Sequence, residues 1–475
     1  MLPVDFTAYT RQLMGAELYS QLEQGLAEEA PVSVRLNPFK VSPHLDGVEA
    51  VPWCSMGYYL NGRPAFTFDP FLHAGLYYVQ EASSMFVCEA VRQCLPMLGL
   101  EQEGASHGQV LDLCAAPGGK STALRSVLPY GALLFSNEPV KTRASVLKEN
   151  IIKFGHPDTI VTNNFPRDYQ RAGLSFDMIV ADVPCSGEGM FRKDAGAIAE
   201  WSPGNVEKCW QLQRSIIEDI WPCLRAGGVL IYSTCTFNAH EDEENVAWIA
   251  TTLGADFVEL KTRPEWNITG PLTGSSPCYR FIPGRTRGEG FFMAVLRKRG
   301  DNPRRGPVAL SSKRKGRQQG APSRNEHAAL WLDGDFVEAE DRGCLRAIPA
   351  WWQPLYSRVR ELLHVVHAGV GLGMMKGRDL IPDASLALST ALKRSAFPQV
   401  DLTYADAVRF LRKEAVALPA DTPRGFVLVS YRQQPLGFEK NIGNRANNLY
   451  PQEWKIKSTH LPDSASSLPC RPITR

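Results

Sequence analysis

The chain contains no Cys-x-x-Cys pair, no Gly-x-Gly-x-x-Gly fingerprint and no run of apolar residues near the roughly 18 that a membrane helix requires. Each absence removes a class. The eleven cysteines are odd in number and scattered, which excludes a zinc ribbon, a thioredoxin-like redox pair and a disulfide framework; no metal is expected. There is no opening that joins a basic start to a long apolar stretch, so no secretory signal is expected, and free thiols suit a cytoplasmic location. The formal net charge is only +2 over 475 residues, so no acidic or basic excess marks the chain as a whole. Solenoid repeats are absent too.

What is present is an alternation of apolar strands and helices. "VLDLC" (110–114), "LLFSNE" (133–138), "TIVTNN" (159–164), "FDMIVAD" (176–182), "GVLIYSTC" (228–235) and "GFFMAVLRK" (290–298) read as strands. Helical stretches such as Lys141 to Phe154 and Val206 to Leu224 lie between them. Near-continuous apolar strands separated by helices demand a mostly parallel sheet covered on both faces, an α/β doubly wound, Rossmann-like domain. Ahead of it, two short helical patterns over 5–28 and the strand-like "VSVRLNP" predict an N-terminal appendage. The chain thus divides into five regions: 1–105, the appendage; 106–298, the α/β domain; 299–327, a linker rich in Gly, Pro and Ser; 328–395, an intermediate domain; and 396–475, a small mixed C-terminal module. The linker bunches Arg304, Arg305, Lys313, Arg314, Lys315 and Arg317 against Asp301, so it serves either as a solvated tether or as a phosphate-binding arm.

Chemistry concentrates at three strand ends. In "LDLCAAPGGKST" a strand runs through Cys114, Ala115, Ala116, Pro117, Gly118 and Gly119 into a helix that carries Lys120. Glycines there let a ligand approach backbone N–H groups at the helix start. Gly119-Lys120-Ser121 matches the end of a phosphate-binding P-loop, but Cys114 stands where that loop needs glycine. Glu138 ends the next strand, where doubly wound folds place the carboxylate that grips ribose hydroxyls, so an adenosine cofactor is expected. "DVPCSGEG" and "STCTFNAHEDEEN" come after two further strands. Loops at the carboxyl ends of parallel strands converge, so Asp182, Cys185 and Cys235 are expected as neighbours. A lone cysteine after a strand is ordinarily a small buried hydrophobe. The acidic run "HEDEEN" reads as a helix start rather than a metal site.

On these residues, together with "SVRLNPFK", "YYVQEASSM", "DVPCSGEGMFRKD" and "GEGFFMAVLRK", the chain resembles the Nop/Sun family of RNA cytosine carbon-5 methyltransferases. Its length, the stretch "GVGLGMMKGRDLIPDASLALS" and the PUA-like "PLGF…NNLYP" are similar to the bacterial RsmF branch, which modifies small-subunit (16S) ribosomal RNA. The resemblance implies S-adenosyl-L-methionine as cofactor, held by the 114–120 loop, Glu138, Asn164 and Asp182. It implies rRNA as partner, within the small ribosomal subunit or free of it, no membrane, and a monomer. It assigns attack on cytosine carbon-6 to Cys235 and product release to Cys185, with Asp182 on the base edge and Lys120 steadying the site, and it sets Phe191, Arg192 and Lys193 along the RNA groove. Two departures stand out. Where many members carry an acidic residue after the third strand, this chain has "VTNNFPRDY", leaving the adenine contact to Asn164 or losing it at Phe165, and Pro283-Gly284 replaces Pro-His. Rival expectations are a DNA cytosine or amino-group methyltransferase, a noncatalytic ribosome-assembly protein, and tRNA as the substrate.

Overall fold

The computed structural model describes residues 2–100, 108–300, 326–341, 343–377, 379–458 and 467–473. The basic linker, read as a tether or a phosphate-binding arm, lies almost wholly outside the described residues.

The N-terminal region begins with α1 (Val4–Ala27), which is interrupted at Gly15, φ 74°, so the two helical patterns of the sequence are two segments meeting at a left-handed glycine. Strands β1 (Val32–Leu36), β2 (Glu49–Ala50) and β3 (Gly57–Leu60), the short α2 (Pro70–His73) and β4 (Tyr77–Val79) come next. The strands form a sheet in the order β2-β3-β1-β4, and α3 (Phe86–Leu98) leads onward.

The central region runs β5 (Gln109–Asp112), α4 (Gly119–Val127), β6 (Leu133–Asn137), α5 (Lys141–Phe154), β7 (Thr159–Thr162), α6 (Pro166–Arg171), β8 (Phe176–Asp182), α7 (Ala195–Glu200), α8 (Pro203–Ile220), β9 (Leu224–Thr234), α9 (Glu243–Thr252), β10 (Ala255–Phe257), β11 (Tyr279–Phe281) and β12 (Phe291–Lys298). β5 pairs in parallel with β6 on one side and β8 on the other, with β7 and β9 beyond them and β12 antiparallel to β9. The chain order therefore reverses direction beside β5, and loops leaving β5, β6, β8 and β9 open onto one crevice. Val110, Leu134, Met178 and Ile231 face a layer that includes Phe86, Val87 and Leu124. Leu111, Phe135, Ile179 and Leu230 face Tyr169, Ile217 and Ile249. Burial on both faces explains why these strands read as continuous apolar runs.

Next come α10 (Glu326–Trp331), β13 (Phe336–Asp341), β14 (Cys344–Pro349), α11 (Gln353–Leu362), β15 (Val365–Ala368), β16 (Val370–Lys376), β17 (Asp379–Pro382) and α12 (Ala384–Leu388). Four of these strands form their own sheet, β13-β14-β16-β17, but β15 adds to the edge of the central sheet, antiparallel to β7. The stretch expected to be an intermediate domain thus lends a strand to its neighbour, which covers an edge that would otherwise expose unpaired backbone. The C-terminal module holds β18 (Gln399–Leu402), α13 (Tyr404–Leu411), β19 (Gly425–Tyr431), β20 (Gln434–Asn441) and β21 (Ala446–Asn448), forming a sheet in that strand order.

The N-terminal region is welded to the central one by buried polar groups. The fully buried Arg35 donates from Nε to Gln80 Oε1 at 2.8 Å and from Nη1 to Thr122 O at 3.3 Å, tying β1 to α4. Gly284, φ 85°, explains one departure from the family pattern. A Cβ there would lie 2.0 Å from the carbonyl oxygen of Gln21, so α1 packs where a larger residue would stand.

Candidate active site

The glycine loop after β5 delivers Lys120 to the first turn of α4, and its Nζ reaches across to Asp182 Oδ2 at 2.8 Å. Ser233 Oγ donates to the other oxygen of Asp182 at 2.7 Å, as expected where Asp182 and Ser233 are register partners at the ends of β8 and β9. Burial disfavours the Lys120 ammonium, yet the Asp182 carboxylate outweighs it and the net shift is upward, so Lys120 stays charged.

Cys185 and Cys235 meet from loops fifty residues apart, with their sulfurs at 3.3 Å, and the backbone N–H of Cys235 points at Cys185 Sγ, also at 3.3 Å. The neighbouring Cys235 sulfur, together with burial, holds the Cys185 thiol well above the ordinary value. Cys114 sits half-buried at the head of the glycine loop, and burial raises its thiol too. Six of the other cysteines are buried, among them Cys54 and Cys88, which also face each other; what sets Cys185 and Cys235 apart is that they meet at the crevice.

Glu138 is almost fully buried just past β6. Its Oε1 accepts the Val140 N–H at 2.9 Å, whereas Oε2 accepts no hydrogen bond and faces Arg143 Nη1 at 3.3 Å. A buried carboxylate oxygen that accepts no hydrogen bond is fitted to receive ligand hydroxyls. Gly119 completes the cradle, since a Cβ there would meet the Tyr78 ring at 3.2 Å.

Asn164 joins two segments. Its Nδ2 donates to His364 O at 3.3 Å and its Oδ1 accepts from His364 N at 3.1 Å, so both ends of the amide are spent on the backbone before β15. The side chain expected at the adenine thus also ties two segments together. Phe191 and Arg192 also turn inward: Phe191 stacks edge-on with Phe6 of α1 at 5.0 Å, and Arg192 is held by Glu289, Gly25 O and Gly288 O. Of that trio, Lys193 is the more open, and it pairs with Glu289 at 2.9 Å.

The "HEDEEN" run does start a helix, with Asp242 at the cap of α9, but Glu241, Asp242 and Glu243 are buried rather than solvated. Arg280, distant in sequence, supplies the compensating charge: it pairs with Asp242 at 3.0 Å and with Glu243. Asn137, Glu188 and Glu241 are further buried polar residues of the site region, the two glutamates lying within motifs already quoted but given no role there. Asn137 Nδ2 bridges Leu113 O and Asn164 O, joining the loops after β5 and β7.

Asp112, fully buried beneath the glycine loop, accepts from Ser121 Oγ at 2.6 Å through one oxygen and has no hydrogen bond at the other. Burial raises its carboxyl to about 7. The folded state therefore binds this proton more tightly than the unfolded one, so the favourable contribution is complete below about pH 4 and is lost as pH rises to about 7. A shift of this size corresponds to roughly 4 kcal/mol at most. Asp112→Asn is expected to raise the melting temperature at pH 8 more than at pH 5, and equal shifts at the two pH values would contradict the assignment.

An α/β doubly wound sheet with a glycine loop after its first parallel strand and a buried carboxylate after its second suits an adenosine cofactor, and the family match of residues 99–297 makes the class an S-adenosylmethionine-dependent methyltransferase. Similarity to known proteins narrows this. Residues 99–297 match the family described as 16S rRNA methyltransferase RsmB/F, 2–82 match the N-terminal domain of 16S rRNA methyltransferase RsmF, and 397–456 match the methyltransferase RsmF PUA domain. Ribosomal RNA small subunit methyltransferase F of Serratia proteamaculans is 31% identical over 95% of this chain and 96% of its own length. That of Erwinia tasmaniensis is 29% identical over 89% and 90%. The chain belongs to the ribosomal RNA small subunit methyltransferase F (RsmF) family. Its fold is shared with NSun6 from Pyrococcus horikoshii, solved with SFG, at TM-score 0.52 and 20% identity over 63% of this chain and 99% of that one. A methyltransferase homolog protein from the same organism gives 0.50 and 24%, over 61% and 93%.

Proposed function

We propose that this protein methylates carbon-5 of a cytosine in small-subunit ribosomal RNA through a covalent cysteine–cytosine intermediate. The observation that carries the reading is the thiol pair at 3.3 Å, set beside the Lys120–Asp182 pair on adjoining strand ends. The names of its relatives and the PUA match support RNA as partner. Among the described residues no helix is long and apolar enough to cross a membrane.

Carbon-5 of cytosine is a weak nucleophile, so a thiolate must first bond to carbon-6 and make carbon-5 enamine-like. Cys235 forms that bond. Cys185 stands beside Cys235, with its sulfur 3.3 Å away. Bound S-adenosylmethionine supplies an electrophilic methyl group. After methyl transfer Cys185, as a thiolate whose own proton has gone to solvent water, takes the proton from carbon-5; the electrons of that C–H bond form the carbon-5–carbon-6 double bond, the carbon-6–sulfur bond breaks, and Cys235 leaves as thiolate. Asp182 holds the base edge, and Lys120 balances charge beside it. The target base must be unstacked for carbon-6 to be reached. The 114–119 backbone and Glu138 hold the cofactor.

Incubation with small-subunit RNA and S-adenosylmethionine, then nucleoside mass spectrometry, should yield 5-methylcytidine. Cofactor binding with no methylation of free RNA or of the subunit would favour an assembly factor, and methylation of tRNA alone would change the substrate. If Glu138 receives the ribose hydroxyls, Glu138→Ala should weaken cofactor binding by roughly 1.5–3 kcal/mol, about tenfold or more. Calorimetric titration showing unchanged affinity in the folded variant would remove that role.

A further inference from the structure

Two buried glutamates bind the catalytic loops to each other, each reaching from its own loop to the main chain of the other. Glu188 lies shortly after Cys185 and is 0% exposed. Its Oε2 accepts from Thr236 Oγ1 at 2.6 Å, Phe237 N at 2.7 Å and Asn238 N at 2.9 Å, all just beyond Cys235. Its Oε1 accepts from Trp201 Nε1 at 3.0 Å and Asn238 Nδ2 at 3.1 Å. Glu241 lies on the Cys235 side and answers in the other direction. Its Oε2 accepts from Ser186 N, next to Cys185, at 3.0 Å and from Gln213 Nε2 at 2.6 Å, and its Oε1 accepts from Asn238 Nδ2 at 2.8 Å. Gln213 Nε2 also donates to Pro184 O at 2.9 Å, and Gly189 N donates to Cys235 O at 2.9 Å.

All these partners are neutral donors, and a carboxylate offers enough lone pairs to satisfy them from two oxygens. Glutamine does not substitute, because its amide NH2 would face donors on one side of the clamp. We infer that Glu188 and Glu241 form a reciprocal clamp of positioning residues that holds Cys185 and Cys235 side by side, without either carboxylate touching substrate. The catalytic consequence rests on the proposed role of Cys235 as the attacking thiol, whereas the geometry of the clamp does not.

The test uses the full chain with Glu188→Gln and Glu241→Gln. Diamide takes two electrons and two protons from a pair of adjacent thiols, so the rate of Cys185–Cys235 cross-linking, read by peptide mass spectrometry, is a ruler for their juxtaposition. In Glu188→Gln, S-adenosylhomocysteine affinity should be unchanged by calorimetry, while cross-linking and single-turnover methylation each slow by about tenfold or more, with KM for RNA unaltered. A variant that binds S-adenosylhomocysteine and retains the original rates of cross-linking and methylation overturns the clamp. Slowed cross-linking with full methylation would leave the clamp standing and overturn its catalytic consequence. If Glu188→Gln fails to fold, Thr236→Val and Trp201→Phe each remove one donor from opposite oxygens and should slow both rates by several-fold; unchanged rates in both overturn the inference.

Discussion

Replacing Cys185 by alanine is expected to leave a covalent protein–RNA adduct that survives denaturing electrophoresis. Attack by Cys235 and methyl transfer need only the Cys235 sulfur, whereas elimination needs a base close to it, and Cys185 Sγ stands 3.3 Å away. Removing the base stops the sequence after the bond to carbon-6 has formed. Cys235→Ala should give no adduct and no product. The double variant should match Cys235→Ala, because a release step has no effect once attack is lost, and such non-additivity is the signature of groups acting in turn on one intermediate. An adduct in Cys235→Ala and none in Cys185→Ala would exchange the two roles. Full methylation by both single variants would remove covalent catalysis altogether.

Severing the Lys120–Asp182 pair should be nearly as damaging. Asp182 is held from both sides, by Lys120 at 2.8 Å and Ser233 at 2.7 Å, so its carboxylate is oriented before any base arrives. Preorganised charge of this kind is worth on the order of 10²–10³ in turnover when one member is removed. Lys120→Met and Asp182→Asn should each show a loss of that order in single-turnover methylation. Because the two touch, their effects should not add, and the double variant should be no worse than the more severe single one. Losses that multiply would show that the two residues act independently.

Much of the fold and the crevice was legible in the chain. Periodicity alone placed α5 over Lys141–Phe154 and β8 over Phe176–Asp182, since an apolar strand and an amphipathic helix are local patterns. The rule that parallel strands converge at their carboxyl ends predicted Asp182, Cys185 and Cys235 as neighbours, and in the structure they lie on adjoining loops. Phe191 and Arg192 were harder to read. An aromatic and a cation beside a candidate nucleophile suit an RNA groove, but α1 folds over them and takes their side chains.

The sequence by itself determined the doubly wound class, the order of strand, loop and helix, and the residues gathered at the crevice, because these arise from local periodicity and from chirality rules that hold for any such chain. Tertiary structure alone decided the partners. That β15 would close the edge beside β7, that Asn164 would be spent on His364, and that Glu188 and Glu241 would cross between loops depends on which groups meet over long separations. A buried amide or carboxylate must find its donors and acceptors wherever the fold supplies them, and no pattern of neighbours along the chain names them in advance.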